Sequence, residues 1–206
     1  MGIFIVMEVN RSMQENNLPI GAGKSTFTYI ESEALFAFLP LYETTRFLDI
    51  ACGNGAYTLA VAEKIGPKGR VFALDLWEEG IGLLREEAAV RGIDNVQSVV
   101  GDATQKFPLD LSDIDVCFMS SVLHDFVHIQ GAEAVLENCV DVLRPNGTLV
   151  VVEFKKIDGP PGPPLRSRMT PEEVEKLVTT YGFRKECESE IGPCHYAMRF
   201  RLLNSD

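Results

Sequence analysis

At 206 residues the chain is sized for one domain. With 46% hydrophobic and 24% charged residues it can bury a core, which excludes wholesale disorder. Its net charge of −11 repels a phosphate backbone and argues against DNA or RNA as the main partner, although the plainer role of such a charge is solubility.

Residues 1–45 do not join the alternation of strands and helices that follows, and read as an N-terminal extension or lid. The apolar run Ile3–Met7 is too short to span a membrane. It also lacks the basic start and the cleavage pattern of a signal peptide. Gly21–Thr26 (GAGKST) carries the GK[ST] core of a phosphate-binding loop, but Leu18 stands where the full pattern needs glycine, and no clear strand precedes it. Nucleotide triphosphate binding is disfavoured; the placement fits a segment that closes over a cofactor.

From Arg46 to the end, residues 46–206 form the second unit. Arg46–Ile50 is an apolar strand running into a Gly-rich turn, and Gly55–Ile65 is helical until Gly66-Pro67 stops it. Arg70–Asp75 is the second strand. Glu78–Arg91 is a helix weakened by Gly80 and Gly82 and ended by Gly92. Val96–Gly101 and Asp113–Ser120 are the third and fourth strands. Gln130–Leu143 is a helix stopped by Pro145 and Gly147, and Thr148–Phe154 is an apolar fifth strand of the kind covered on both faces. A Pro/Gly-rich loop follows at Lys155–Pro164. Thr170 then caps a helix with Pro171 in its first position, and Gly182 closes it. Phe183–Ile191 and His195–Leu203 form a hairpin around Gly192-Pro193. Five β–α alternations and a terminal hairpin predict an α/β fold: a doubly wound, seven-stranded sheet with a C-terminal antiparallel hairpin.

Ligands of doubly wound sheets bind at the carboxyl ends of the strands, near the point where strand order reverses. Three acidic residues fall at such ends. Asp49 precedes a turn in which Gly53 and Gly55 let the backbone approach a ligand closely. Asp75 stands about twenty residues after Gly55, where a carboxylate meets ribose hydroxyls, although it also suits a helix cap. Asp102 can accept from the exocyclic amine of a base, or simply shape a turn. The spacing at Thr58 lacks the third small residue of a dinucleotide-binding turn, which disfavours a dehydrogenase.

The motif DIACGNG (Asp49–Gly55), with ALDLW (Ala73–Trp77), VVGDATQKFP (Val99–Pro108), FMSSVLHDF (Phe118–Phe126) and VLRPNGTLVVVEF (Val142–Phe154), resembles class I S-adenosylmethionine-dependent methyltransferases in content and order. The likeness is to the Rossmann-like small-molecule group known as methyltransferase type 11, and to the ubiquinone/menaquinone-biosynthesis branch. It covers about two-thirds of the chain, and Ala51 departs from the family's first glycine. The resemblance implies S-adenosylmethionine as cofactor, with Ala51, Gly53 and Gly55 along its methionine end and Asp49 supporting that loop. By the same likeness Asp75 binds the ribose, Leu76 packs on the adenine, Asp102 and the Ala103 backbone take the adenine amine, and Ser120 and Ser121 lie near the sulfonium.

For an acceptor that must lose a proton, His124 and Asp125 are the candidate catalytic residues, with His128 a weaker one. A histidine there also fits a purely structural role. Lys155, Lys156, Arg166 and Arg168 flank the Pro/Gly loop, where Arg166 and Arg168 are candidates for an anionic acceptor group, and Glu153 is expected to face the site. Equally they form a solvated basic loop. The expected partner is a small-molecule acceptor, with nucleic acid disfavoured and no membrane.

The five cysteines are odd in number and without a C-x-x-C pair, so neither a disulfide framework nor a metal site is expected. A reducing, cytoplasmic setting follows. If Cys187 and Cys194 meet across the hairpin, a metalloid acceptor becomes an alternative. Others are a cofactor-binding module without catalysis and a macromolecule methyltransferase. The sequence leaves the oligomeric state open, a homodimer included.

Overall fold

A computed structural model of the chain describes residues 18–108 and 111–203, so the Ile3–Met7 run falls outside the described residues. A short helix α1 (Ser32–Phe38) precedes the sheet. The alternation then runs β1 (Arg46–Ile50), α2 (Ala56–Ile65), β2 (Arg70–Asp75), α3 (Glu78–Arg91), β3 (Val96–Val100), β4 (Ile114–Ser120), α4 (Leu123–His128), α5 (Ala132–Val142) and β5 (Leu143–Phe154). After the Pro/Gly loop come α6 (Pro171–Thr179), β6 (Phe183–Glu190) and β7 (His195–Leu202). The seven strands are ordered β3-β2-β1-β4-β5-β7-β6. β1 to β5 pair in parallel, whereas β7 runs antiparallel to both β5 and β6. This is the α/β, doubly wound, seven-stranded sheet with an antiparallel C-terminal hairpin expected from the pattern.

Both faces of the sheet are covered, which explains the unbroken apolar runs. Phe47, Val71, Phe118, Val150 and Val152 pack toward α1 and α2. Their neighbours Leu48, Ile50, Leu74, Met119, Leu149 and Val151 pack on the other face with α4, α5 and α6. The period-two alternation of side chains divides one strand between two cores. β6 is an edge strand, alternates burial strictly and carries charges outward, which blunts the edge.

α6 begins as its residues dictate. Thr170 Oγ1 accepts from the backbone N–H of Glu173, and the Glu173 carboxylate accepts from the Thr170 N–H, a reciprocal cap behind Pro171. One boundary differs from expectation: β5 begins at Leu143, before Pro145 and Gly147. The register with β4 shifts between Ile114 and Val116, and Asn146 adopts φ 60°. A proline without an N–H is tolerated in such an irregular strand start.

Strand order reverses between β1 and β4. Their carboxyl ends therefore open a crevice, and the loops after them form its floor.

Candidate active site

A cavity of about 1370 Å³ occupies this crevice. Its walls come from the loop after β1, the ends of β2 and β4, the Pro/Gly loop after β5, and the N-terminal segment Ile20–Thr26. A narrower recess shares Ile20, Ala51, Asp75, Val122 and Asp125 with it. That recess continues past Leu76, Gly101, Asp102 and Ala103. The acidic strand ends of the sequence thus line one continuous depression.

The loop after β1 is held under tension. Ala51 lies at φ 59° and Ser121, after β4, at φ 56°. Each is a left-handed backbone on a residue with a Cβ, costing roughly 1–2 kcal/mol. Both line the cavity, each directly after one of two adjacent strands, so strain collects at the floor of the site. At Gly55 (φ 77°), a Cβ would stand 2.3 Å from Leu84 of α3, so only glycine fits. Gly80 has a comparable reason: a Cβ there would meet the Trp77 ring at 2.2 Å and the Gly53 carbonyl at 2.8 Å. The residue that weakens α3 as a helix lets α3 approach the loop.

The three acids differ in environment. Asp49 is buried, and its Oδ2 accepts a 2.6 Å hydrogen bond from Thr58 Oγ1. Burial lifts its carboxyl to about 7, against the lowering effect of Thr58 and with a further rise from Asp75. Asp75 accepts from the Gly53 N–H through Oδ2 and from the Trp77 N–H through Oδ1, each at 2.7 Å. Burial raises its pKa and these backbone donors oppose the rise. Each oxygen keeps a lone pair for a ligand hydroxyl. Asp102 Oδ1 accepts from the Thr104 N–H and Oγ1 at 2.8 and 2.7 Å, fixing the turn at the recess.

Beyond the cofactor loop lies a histidine with a buried acid behind it. His124 Nδ1 is 2.8 Å from Glu153 Oε2 and 3.0 Å from Oε1, and the His124 backbone N–H donates to Oε1 at 3.1 Å. Nε2 lies 3.6 Å from Asp125 Oδ1. Burial disfavours the imidazolium, but the hydrogen bond and charge of Glu153, helped by Asp125, outweigh it and raise the pKa above the usual value. Asp125 is raised chiefly by burial, with His124, His128 and Lys24 opposing.

A model for the family described as "Methyltransferase domain" matches residues 41–191. The chain belongs to this family. Among relatives of this methyltransferase, the ubiquinone/menaquinone biosynthesis C-methyltransferase UbiE of Ectopseudomonas mendocina (strain ymp) is 34% identical over 139 residues, covering 67% of this chain and 48% of that protein. The demethylmenaquinone methyltransferase of Geobacillus stearothermophilus is 32% identical over 110 residues, covering 52% and 44%. The chain thus spans about half the length of these relatives. A SAM-dependent methyltransferase from Aquifex aeolicus shares the fold with a TM-score of 0.78 at 24% identity, over 89% of this chain and 95% of that one. The N-methyltransferase NodS of Bradyrhizobium japonicum WM9, solved with S-adenosyl-L-homocysteine, does so at 0.60 and 20%, over 77% and 78%. The motifs and relatives together put the methyltransferase in the class I S-adenosylmethionine-dependent group, in the UbiE-like branch.

The residues fit that cofactor. The indole Nε1–H of Trp77, a cavity residue beside Asp75, is buried and meets no acceptor among the described residues. Such a donor suits a polar ligand. Ala51, Gly53 and Asp75 line the main cavity together with Asp49, and Gly55 shapes the loop beneath. Leu76, Asp102 and Ala103 line the recess suited to a base, and Ser120 and Ser121 line the main cavity.

Three expectations are corrected by geometry. Arg168 offers nothing to an acceptor: its guanidinium donates to the carbonyls of Lys155, Ile157, Gly159, Pro161 and Pro163, organising the Pro/Gly loop. Glu153 does not face the cavity but lies fully buried behind His124. Cys187 pairs with Arg199 in the hairpin register while Cys194 precedes β7, so the two cysteines are not cross-strand partners, and the metalloid reading loses its basis. Lys155 and Lys156 are engaged by Glu190 and Glu173. Arg166 lines the cavity with no ion-pair partner among the described residues. Sequence reasoning missed Tyr57, whose hydroxyl lies in the cavity wall 2.8 Å from Thr26 Oγ1. Its one signal is a polar-tipped ring directly after the Gly-rich turn.

Proposed function

We propose that the protein transfers the methyl group of S-adenosylmethionine to a small-molecule acceptor, with His124 taking the acceptor's proton. The observation that carries the reading is the buried Glu153–His124 pair beside a cavity continuous with the Asp75 and Asp102 recess.

The cofactor supplies a methyl activated by a sulfonium. The chain's own residues align and protect. Asp75 and the Gly53 backbone orient the ribose side, and the Asp102 turn orients the base. The Pro/Gly loop, held by Arg168, closes the far wall against water. Glu153 accepts the His124 Nδ1–H and so presents Nε2 as the base. As the acceptor is methylated, its proton would pass to Nε2 of His124, with Glu153 holding the ring in place. The names of the relatives, which concern ubiquinone and menaquinone biosynthesis, support an acceptor of the small-molecule kind.

The test uses S-adenosylmethionine labelled in its methyl group with a panel of phenolic and enolic metabolites. Label should move to a small molecule and fall sharply with His124→Ala. Label moving only to RNA or protein would refute the acceptor class. Binding without transfer to any acceptor would mark a module without catalysis.

A further inference from the structure

The Gly21–Thr26 segment looks like a phosphate-binding loop, yet among the described residues it does not open the helix that such a loop needs. A three-residue 3₁₀ turn, Phe27–Tyr29, follows it. What it has is a fixed seat over the cofactor loop. Gly21 and Gly23 adopt φ 80° and 75°, and Lys24 N–H donates to the Gly21 carbonyl at 3.0 Å, which turns the chain back across the crevice. The Lys24 carbonyl lies 4.0 Å from where a Cβ on Gly53 would stand. Thr26 Oγ1 is pinned to Tyr57 Oη at 2.8 Å, Ser121 Oγ at 3.2 Å and Ser120 Oγ at 3.4 Å, and Phe27 packs edge-on against Tyr57 at 5.0 Å. One short segment therefore bridges the loop after β1, the start of α2 and the end of β4.

Four cationic side chains line this cavity apart from its histidines. Arg168 is spent on carbonyls, Lys156 on Glu173, and Arg166 stands on the far Pro/Gly wall. Lys24 is exposed and has no ion-pair partner among the described residues. Of the cavity's acids, Asp125 is the one on which Lys24 acts, and none pairs with it among the described residues. Asp75 holds two backbone N–H groups, Asp49 is buried with Thr58, and Asp125 faces His124 and His128 as well as Lys24. The base recess lies at Asp102 and the diol acceptor at Asp75. The remaining end of the cofactor would then run the other way, along Gly53 toward Ser120 and Ser121, in the part of the cavity that Gly21–Thr26 also lines.

We infer that Lys24 is the receptor for the carboxylate at the amino-acid end of S-adenosylmethionine, delivered by the Gly21–Thr26 segment. The inference rests on the function proposed above. A single carboxylate needs one point charge and a few hydroxyls, which this segment supplies; a polyphosphate needs the helix end that it lacks.

Calorimetric titration with S-adenosylhomocysteine and with 5′-methylthioadenosine tests it, because the second ligand keeps the nucleoside and thioether and lacks the amino-acid end. Lys24→Met should weaken S-adenosylhomocysteine about ten-fold and leave 5′-methylthioadenosine unchanged. Lys24→Arg should stay within about three-fold of the wild type for both. Unchanged S-adenosylhomocysteine affinity in Lys24→Met, or an equal loss for both ligands, would overturn the assignment while leaving the methyltransferase reading intact. Wild-type protein that binds neither ligand would overturn both.

Discussion

The imidazole Nδ1 of His124 and the carboxylate of Glu153 lie 2.8 Å apart at the junction of β5 and α4, with Glu153 fully buried. A buried carboxylate is costly unless paired, and here it receives the ring N–H and the backbone N–H of the same residue. Against an ionised Glu153 this geometry favours the Nδ1–H tautomer, which leaves the Nε2 lone pair that the proposed base role needs.

The pair sets a pH dependence. A base works only when neutral, so turnover should rise with pH through the elevated pKa of His124. Glu153→Gln keeps the shape and removes the charge that raises this pKa. Its acid limb should shift to lower pH while kcat falls. His124→Ala should cost on the order of 10²–10⁴ in kcat with cofactor affinity retained. Asp125, His128, Lys24 and Arg168 also face this region and contribute to the limb's position. A pH–rate profile of each variant decides; an unmoved limb in Glu153→Gln contradicts the coupling.

Asp49 makes a second pH prediction, in stability. Its carboxyl titrates near 7 when folded and at its ordinary 3.8 when unfolded. Between those values the native state holds a proton that the unfolded chain has released. Stability should therefore fall as pH rises from about 4 toward 7, at up to about 1.4 kcal/mol per pH unit. Asp49→Asn should flatten this slope while keeping an acceptor for Thr58 Oγ1. Urea unfolding of both proteins across that range measures it; parallel slopes would refute the assignment.

Arg168 holds the Pro/Gly loop by five bonds to carbonyls, an arrangement that a lysine's three donors cannot reproduce. Arg168→Lys should expose the loop to protease cleavage within 157–164 and destabilise the fold by about 1–3 kcal/mol. Limited proteolysis with thermal unfolding checks this. Unchanged resistance would return Arg168 to the expected role of binding an anionic acceptor.

The strands were legible in the sequence because parallel strands buried on both faces read as apolar runs between glycines, as at Leu149–Val152. The cap at Thr170 was equally plain, since its partners lie within one turn. The roles of Glu153 and Arg168 were not legible. Both depend on contacts across the loop after β5, where a carboxylate turns inward to His124 and a guanidinium turns back on its own loop. Gly80 read as a weakness of α3 because its reason, the Gly53 carbonyl, lies 27 residues earlier in the chain. The N-terminal GKST run invited a nucleotide reading from local pattern, while its seat over Gly53 is set by Tyr57, Ser120 and Ser121.

The most direct measurement is calorimetric titration of the wild-type chain with S-adenosylmethionine, S-adenosylhomocysteine and NAD. Saturable one-to-one binding of both sulfur ligands, weakened by Asp75→Asn and absent for NAD, is the predicted result. Tight NAD binding with no heat from either sulfur ligand would contradict it.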